Sequence, residues 1–280
     1  MTDKEIKALV SLLDDEDQEV SSHVEHTILK LGEHAIPFLE KEWERNFNPS
    51  IQKKLEDIIH VIQFSILKTR MAKWKNTGFE DLLEGMWIIA TYQYPDLEYE
   101  KLREKIEQIY FEAWREFKPD LHPYDQVKIL NNVFFSTFKF RANTRNFHAV
   151  SNSMINNVLE SKKGNPISLC VIYMLIAQRL KLPIYGVNLP NLFILTYKIP
   201  PFQFYINVFN KGLIFMKDDI DNYITQLNMP PSNVFFEPCT NLDIIKRVLR
   251  NMIISFERTG DAHKVEEIKM MITTVSENMN

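Results

Sequence analysis

The chain has 280 residues, 45% of them hydrophobic and 25% charged, with a formal net charge of −4. That length permits one or two domains with a sizeable core, and the mild acidity excludes the basic balance of a nucleic-acid binder. Two cysteines, Cys170 and Cys239, form neither a disulfide framework nor a zinc-ligand spacing. Glycine is scarce, at 7 residues, so the chain is expected to be mostly ordered. The acidic, amphipathic start lacks the basic and apolar blocks of a signal peptide. No apolar run approaches the roughly 18 residues of a membrane span, so the expectation is a cytoplasmic protein without membrane insertion.

Residues 1–117 read as helical. "KEIKALVSLL" places Ile6, Leu9, Val10 and Leu13 on one face, the spacing of an amphipathic helix. The acidic turn "DDEDQ" favours the N-terminus of the next helix, whose apolar positions are Val20, Val24, Ile28 and Leu31, with Gly32 placed to end it. A new helix starts around Pro37, and further helices are predicted over 50–73, 79–92 and 98–116. Residues 118–235 change character. An apolar helix with an aromatic end, "QVKILNNVFFSTFKF", precedes the polar loop "RANTRNFHAVSNSM" and a short helix in "SMINNVLESKKG". After a helix at 166–180, the runs "IYGVNL", "LFILTYK", "FQFYINVF" and "GLIFMK" predict four short strands in an antiparallel meander. "DDIDNYITQL" returns to helix, with Asp218 or Asp219 as its expected cap. Residues 236–280 read as a helical hairpin broken at Gly260, with "SENMN" as a frayed tail. The fold class is therefore α+β.

The helix at 166–180 carries the functional question. Asn165 suits its N-cap and Pro166 its first turn. Leu169, Ile172, Tyr173, Ile176 and Leu180 line one face, while Cys170, Val171, Met174 and Ala177 make most of the remainder apolar. A helix apolar nearly all round is buried. A thiolate nucleophile needs the positive end of a helix, where free N–H groups lower its pKa. Cys170 falls at the fifth helical position, beyond those groups, among apolar neighbours that keep a thiol protonated. Its two readings are a core residue and a nucleophile.

The segment "SNSMINNVLESKKGNPISLCVIYMLIAQRLKLPIYGVNLPNLFIL" resembles the transglutaminase-like proteins of the SirB type, bacterial relatives of the papain-like transglutaminase core. The likeness rests on Gly164-Asn165-Pro166-Ile167-Ser168-Leu169, then Tyr173, Leu182-Pro183 and Gly186-Val187-Asn188-Leu189-Pro190. "LLDDEDQEV…LKLGEHAIPFLE" is similar to one HEAT-type repeat, and the branch usually ends in a tetratricopeptide-like tail. The resemblance implies a helical N-terminal region, a transglutaminase-like core over 118–235 with a central helix on a small antiparallel sheet, and a tetratricopeptide-like hairpin over 236–280. It also implies cysteine, histidine and aspartate in that chain order. Counted back from Leu182-Pro183, the cysteine position falls near Pro166 and Ile167. Leu192 stands where a Pro-Gly-His-Phe pattern has histidine, and Asn207 where the acid belongs. All three replacements imply a degenerate cleft built from Asn165, Pro166, Ile167, Ser168, Asn191, Leu192 and Asn207.

Other candidates remain beside this reading. Ser168 in the first turn is either a hydroxyl nucleophile or a backbone-bonded serine. His148 precedes the helix, in the wrong order for the family, and is either a base or a loop residue. His23 and His26 lack companion ligands for a metal, and no nucleotide-binding glycine pattern is present, so neither metal nor cofactor is expected. Lys162 and Lys163 beside the helix start would attract an anion such as a phosphate or a C-terminal carboxylate. Two functions follow: a non-catalytic protein that binds a peptide or protein partner, or a cysteine- or serine-dependent acyl transferase or hydrolase with a rebuilt site. The sequence leaves the oligomeric state open.

Overall fold

Four amphipathic helices begin the chain in the computed structural model, which describes residues 3–118 and 120–276. Helices α1 (Asp3–Ser11), α2 (Gln18–Leu31), α3 (Ile36–Arg45) and the first part of α4 (Pro49–Asn76) make up one compact unit, Met1–Arg70. Their apolar faces meet around Ile6, Val10, Val24, Ile28, Leu39 and Leu55, all buried. Asp17 caps α2 by accepting from Glu19 N at 2.9 Å. Gly32, at φ +61°, ends that helix in a conformation costly for any residue with a Cβ.

The second unit, Met71–Asn280, holds the rest of α4 and all of the sheet. Its helices are α5 (Leu82–Ala90), α6 (Tyr99–Glu116) and α7 (Pro123–Asn131), the last running into a π-helical segment, Asn132–Thr137. Strand β1 (Arg141–Ala142) pairs in parallel with β2 (Lys163–Gly164), and α8 (Ile155–Ser161) lies between them in sequence. Then follow α9 (Pro166–Arg179), β3 (Ile184–Leu189), β4 (Leu192–Ile199), β5 (Phe202–Asn207) and β6 (Leu213–Phe215). The chain closes with α10 (Lys217–Gln226), α11 (Asn241–Thr259) and α12 (Ala262–Ser276). This is an α+β fold. Among the described residues no helix is long and apolar enough to cross a membrane.

The four long strands form one antiparallel sheet in sequence order, β3-β4-β5-β6. Leu189 faces Leu192 across the first hairpin, so Pro190 and Asn191 alone make the turn. Proline at the first turn position and Asn191 at φ +58° at the second match what a type II turn demands. One sheet face carries Val187, Leu189, Ile194 and Tyr205, which pack with Ile220 and Ile224 of α10. The other covers α9, which touches β3 and β4 and also α6, α8 and α11.

Helix α9 is buried nearly throughout. Ile167, Leu169, Cys170, Val171, Ile172, Tyr173, Met174, Ile176 and Ala177 are all withdrawn from solvent. Each fully buried aliphatic side chain among them is worth about 1.5–3 kcal/mol relative to exposure. One sequence expectation needs adjustment. The N-cap of α10 is Met216 rather than Asp218 or Asp219, because the helix starts at Lys217 and puts Asp219 at its third position. From there Asp219 Oδ2 accepts from Met216 N at 2.8 Å, the returning half of a capping box. The expected frayed tail falls largely on residues 277–280, outside the described residues.

One polar chain crosses this apolar core. Buried Tyr173 donates its hydroxyl to Asn131 Oδ1 at 2.9 Å. Asn131 Nδ2 donates in turn to the carbonyl of Gly212 at 3.1 Å. Gly212 sits at φ +71°, and an added Cβ would lie 2.0 Å from Asn131 Oδ1. Asn131→Ala is therefore expected to strand the Tyr173 hydroxyl and cost about 1–3 kcal/mol in urea unfolding. Tyr173→Phe should cost less, and almost nothing further in the Asn131→Ala background. Additive losses in that double-mutant cycle would show that the two side chains do not act as a pair.

Candidate functional site

The N-terminal end of α9 is fixed by its own residues. Asn165 accepts from Ser168 N at 2.9 Å through Oδ1, and Ser168 Oγ donates to Asn165 O at 3.2 Å. Ser168 is thus tied to the backbone and is buried. Cys170 lies one turn deeper, fully buried, with Sγ donating to the carbonyl of Phe193 at 3.6 Å. Burial pushes its thiol pKa well above the ordinary value. The nearby Val208 backbone opposes that rise, and Cys239 adds to it. Burial likewise pushes Cys239 up to about 12. Among the described residues no imidazole is hydrogen-bonded to either sulfur.

A pocket of about 230 Å³ opens at this end of α9. The loop before α8 gives it Phe147, His148 and Ala149, and α9 gives Asn165, Pro166 and Ile167. The β3–β4 hairpin adds Asn191 and Phe193. The fourth wall is α11, through Arg247, Asn251, Ile254 and Ser255. The hairpin approaches closely because Gly186 has no side chain: an added Cβ would lie 2.7 Å from the Phe193 ring and 3.2 Å from Cys239 Sγ.

The structure thus gathers His148, Asn165, Pro166, Ile167 and Asn191 around one cavity. The remaining candidates stand apart from it. Cys170 and Ser168 are buried behind the pocket. Leu192 points to the opposite sheet face, against the cluster that includes Ile220 and Ile224. Asn207 caps a short 3-10 turn, accepting from Asn210 N at 3.0 Å. Neither lysine before the helix lines the pocket. Lys162 lies over the rings of Phe138 and Phe140, and Lys163 belongs to β2. His148 is exposed and stacks edge-on with Phe147.

The cation of the pocket is Arg247, which the sequence did not single out. It is half-buried and donates to Asn188 Oδ1 at 3.2 Å. Desolvation lowers its pKa, the neighbouring Arg250 lowers it further, and Tyr223 opposes both. Tyr223 in turn donates its hydroxyl to the Pro190 carbonyl at 2.8 Å, fastening the hairpin turn. In the sequence Arg247 reads as part of the polar face of an amphipathic helix. The packing of α11 against α9 and β3 brings it to the pocket.

A buried helix backed by an antiparallel meander, with a polar pocket at its N-terminal end, defines a cleft-bearing α+β protein. The chain belongs to the transglutaminase-like superfamily, whose profile matches residues 100–250, over half of the 280. It is 26% identical over 186 residues to a UPF0162 protein of Xylella fastidiosa strain 9a5c, covering 64% of this chain and 66% of that one. It is 25% identical over 173 residues to the UPF0162 protein YchA of Escherichia coli K12, covering 60% of this chain and 64% of that one. Human F-box only protein 21 is 31% identical over 91 residues, 30% of this chain and 14% of that protein. The chain spans 51% and 66% of the lengths of two Xylella relatives it matches. No solved structure matches the chain.

The burial of Cys170 has two measurable consequences. In native protein both thiols should resist iodoacetamide at neutral pH, with the partly exposed Cys239 reacting first as the pH is raised and Cys170 only on unfolding; mass spectrometry reads both sites. The second concerns pH. A thiol whose folded pKa is raised stabilises the fold fully below its unfolded value of roughly 8.5. Above that pH the unfolded chain loses the proton first, so stability falls by up to about 1.4 kcal/mol per pH unit until the folded value is reached. Cys170→Ala should flatten the decline measured by urea unfolding above that pH. An unchanged slope would mean that the thiol ionises equally in both states.

Proposed function

We propose that the protein is a non-catalytic transglutaminase-like protein of the SirB type whose cleft binds a peptide or protein segment. On this reading residues 118–235 are the degenerate core. Residues 1–117, HEAT-like at their start, and the tetratricopeptide-like hairpin 236–280 flank it, and the protein works in the cytoplasm. The observation that carries the reading is the chemistry at the pocket end of α9. Pro166 and Ile167 hold the positions from which a nucleophile would act, and neither carries an ionisable group. The nearest thiol, Cys170, is buried and has the Phe193 carbonyl as its partner. Thiol chemistry needs an accessible thiolate and a base within about 3 Å of it in some state.

The pocket does offer what binding needs. Phe147, Ile167, Phe193 and Ile254 give it apolar surface, and Asn191, Asn251 and Arg247 give it polar contacts. Ile254 and Phe147 are 43% and 40% exposed, so a segment lying across the mouth would cover apolar area now in water.

Peptides selected from a displayed library on the full-length chain should lose about tenfold or more in affinity for Ile254→Asp. Both proteins should give the same circular dichroism melt. In parallel, glutamine–amine transamidation and peptide hydrolysis should proceed no faster with wild type than with Cys170→Ala or Ser168→Ala. Turnover that disappears in either variant would overturn the binding reading in favour of an acyl-transfer enzyme.

A further inference from the structure

We propose that the pocket is a carboxylate site, with Arg247 as the recognising cation and the free C-terminal carboxylate of an apolar-ended peptide as its ligand. This rests on the reading of the cleft as a peptide-binding surface and names the chemistry it selects. The argument starts from a charge without a counter-charge. Arg247 is half-buried, donates to the neutral amide of Asn188 and forms no ion pair among the described residues. None of the pocket's lining residues is an acid. Its neighbour Arg250 is a second cation. Withdrawing a guanidinium from water without a carboxylate is unfavourable, and an incoming anion would supply the missing partner.

The geometry of the donor set favours a carboxylate. A guanidinium presents five N–H donors in a planar fork that matches two carboxylate oxygens. One of these donors is engaged with Asn188, which holds the fork in place and leaves the others available. Asn191 and Asn251 line the same cavity, and neither side chain has a hydrogen-bond partner among the described residues. The end of α9 itself adds little. Pro166 has no N–H, and the N–H of Ser168 is already taken by Asn165.

The size and walls of the pocket choose between sources of that carboxylate. A volume of about 230 Å³ lies below the roughly 300–1,000 Å³ of ordinary small-molecule sites, and it suits a single residue. The apolar wall formed by Ile167, Phe193 and Ile254 stands in the same cavity as Arg247. A terminal residue carries an apolar side chain and a carboxylate on one carbon, so it presents both features at once. A side-chain carboxylate of Asp or Glu presents only the charge, and inorganic phosphate presents no apolar group.

The test uses full-length protein labelled with ¹⁵N-arginine, reading the Arg247 Nε–H resonance, assigned by its loss in Arg247→Gln. The probes are N-acetyl-L-phenylalanine, its carboxamide, N-acetyl-L-glutamic acid α-methylamide and sodium phosphate. The free acid should move the resonance with an affinity about tenfold or more above those of the other three. Arg247→Lys, which keeps the charge and loses the fork, should weaken the free acid by a similar factor, read by isothermal titration calorimetry beside the wild type because the variant lacks the reporting N–H. Equal shifts with the carboxamide would overturn the carboxylate site. Equal shifts with phosphate would reduce it to an adventitious ion only, and equal shifts with the glutamate probe would refute the terminal source. Library peptides give the separating measurement. If amidated peptides bind as well as free acids and Ile254→Asp still abolishes both, the carboxylate inference fails and the binding reading stands. If the free acid shifts Arg247 while no peptide binds, the carboxylate site stands and the binding reading fails.

Discussion

The structure depends on covering one helix from every side. Helix α9 is apolar nearly all round, and no single layer can bury such a surface. The meander takes one side, and α6, α8 and α11 take others. The short β1–β2 pair also touches α9, and the π-helical run after α7 reaches it through Phe134, whose ring meets that of Tyr173 edge-on at 5.3 Å. Burial of this kind also decides the chemistry of what the helix carries. A thiol on its fifth position faces packing, so the same apolar pattern that drives folding keeps Cys170 protonated.

Most polar groups inside this shell are committed to structural partners, with Asn156 Oδ1 on α8 an unpaired exception. Tyr173 and Asn131 tie α9 to the loop before β6, and Tyr197 donates to Gln126 at 2.9 Å across α7 and β4. Asn165 and Ser168 satisfy each other at the helix start. Buried polar groups left unpaired are costly, so these bonds are requirements of the fold and are not available to a substrate. Arg247, Asn191 and Asn251, which keep donors to spare, lie together at the mouth of the pocket. The division between structural and functional polar residues follows from which of them the core must satisfy.

Local chemistry was legible in the sequence. Asn165 at the cap, Pro166 in the first turn, Gly32 and Gly260 at helix ends and the four-strand meander all follow from short-range rules of capping, φ and period. The side of the sheet on which Leu192 sits was not legible from a motif. The two-residue turn sets the register, and Leu192 falls opposite Leu189 on the α10 face, while Phe193 takes the pocket face. The cap of α10 was misread because an acidic pair at a helix start satisfies the cap rule and the third-position rule equally. Arg247 was invisible for a different reason. Its neighbours in the pocket come from three segments far away in the chain, and an exposed-looking arginine on an amphipathic helix has no local mark.

Along α9 and the strands after it, Pro166, Ile167, Leu192 and Asn207 carry no ionisable side chain. The tertiary view adds α11, which closes the pocket from outside the motif. It brings a cation to a cavity whose other polar lining residues are uncharged amides, a serine and a histidine. A guanidinium stays ionised across the physiological range, so it is poorly suited to proton transfer and well suited to holding an anion in place. The uncharged residues at the start of α9 and the fixed charge on α11 fit one another on the proposed reading, since both suit a cleft that holds a ligand still.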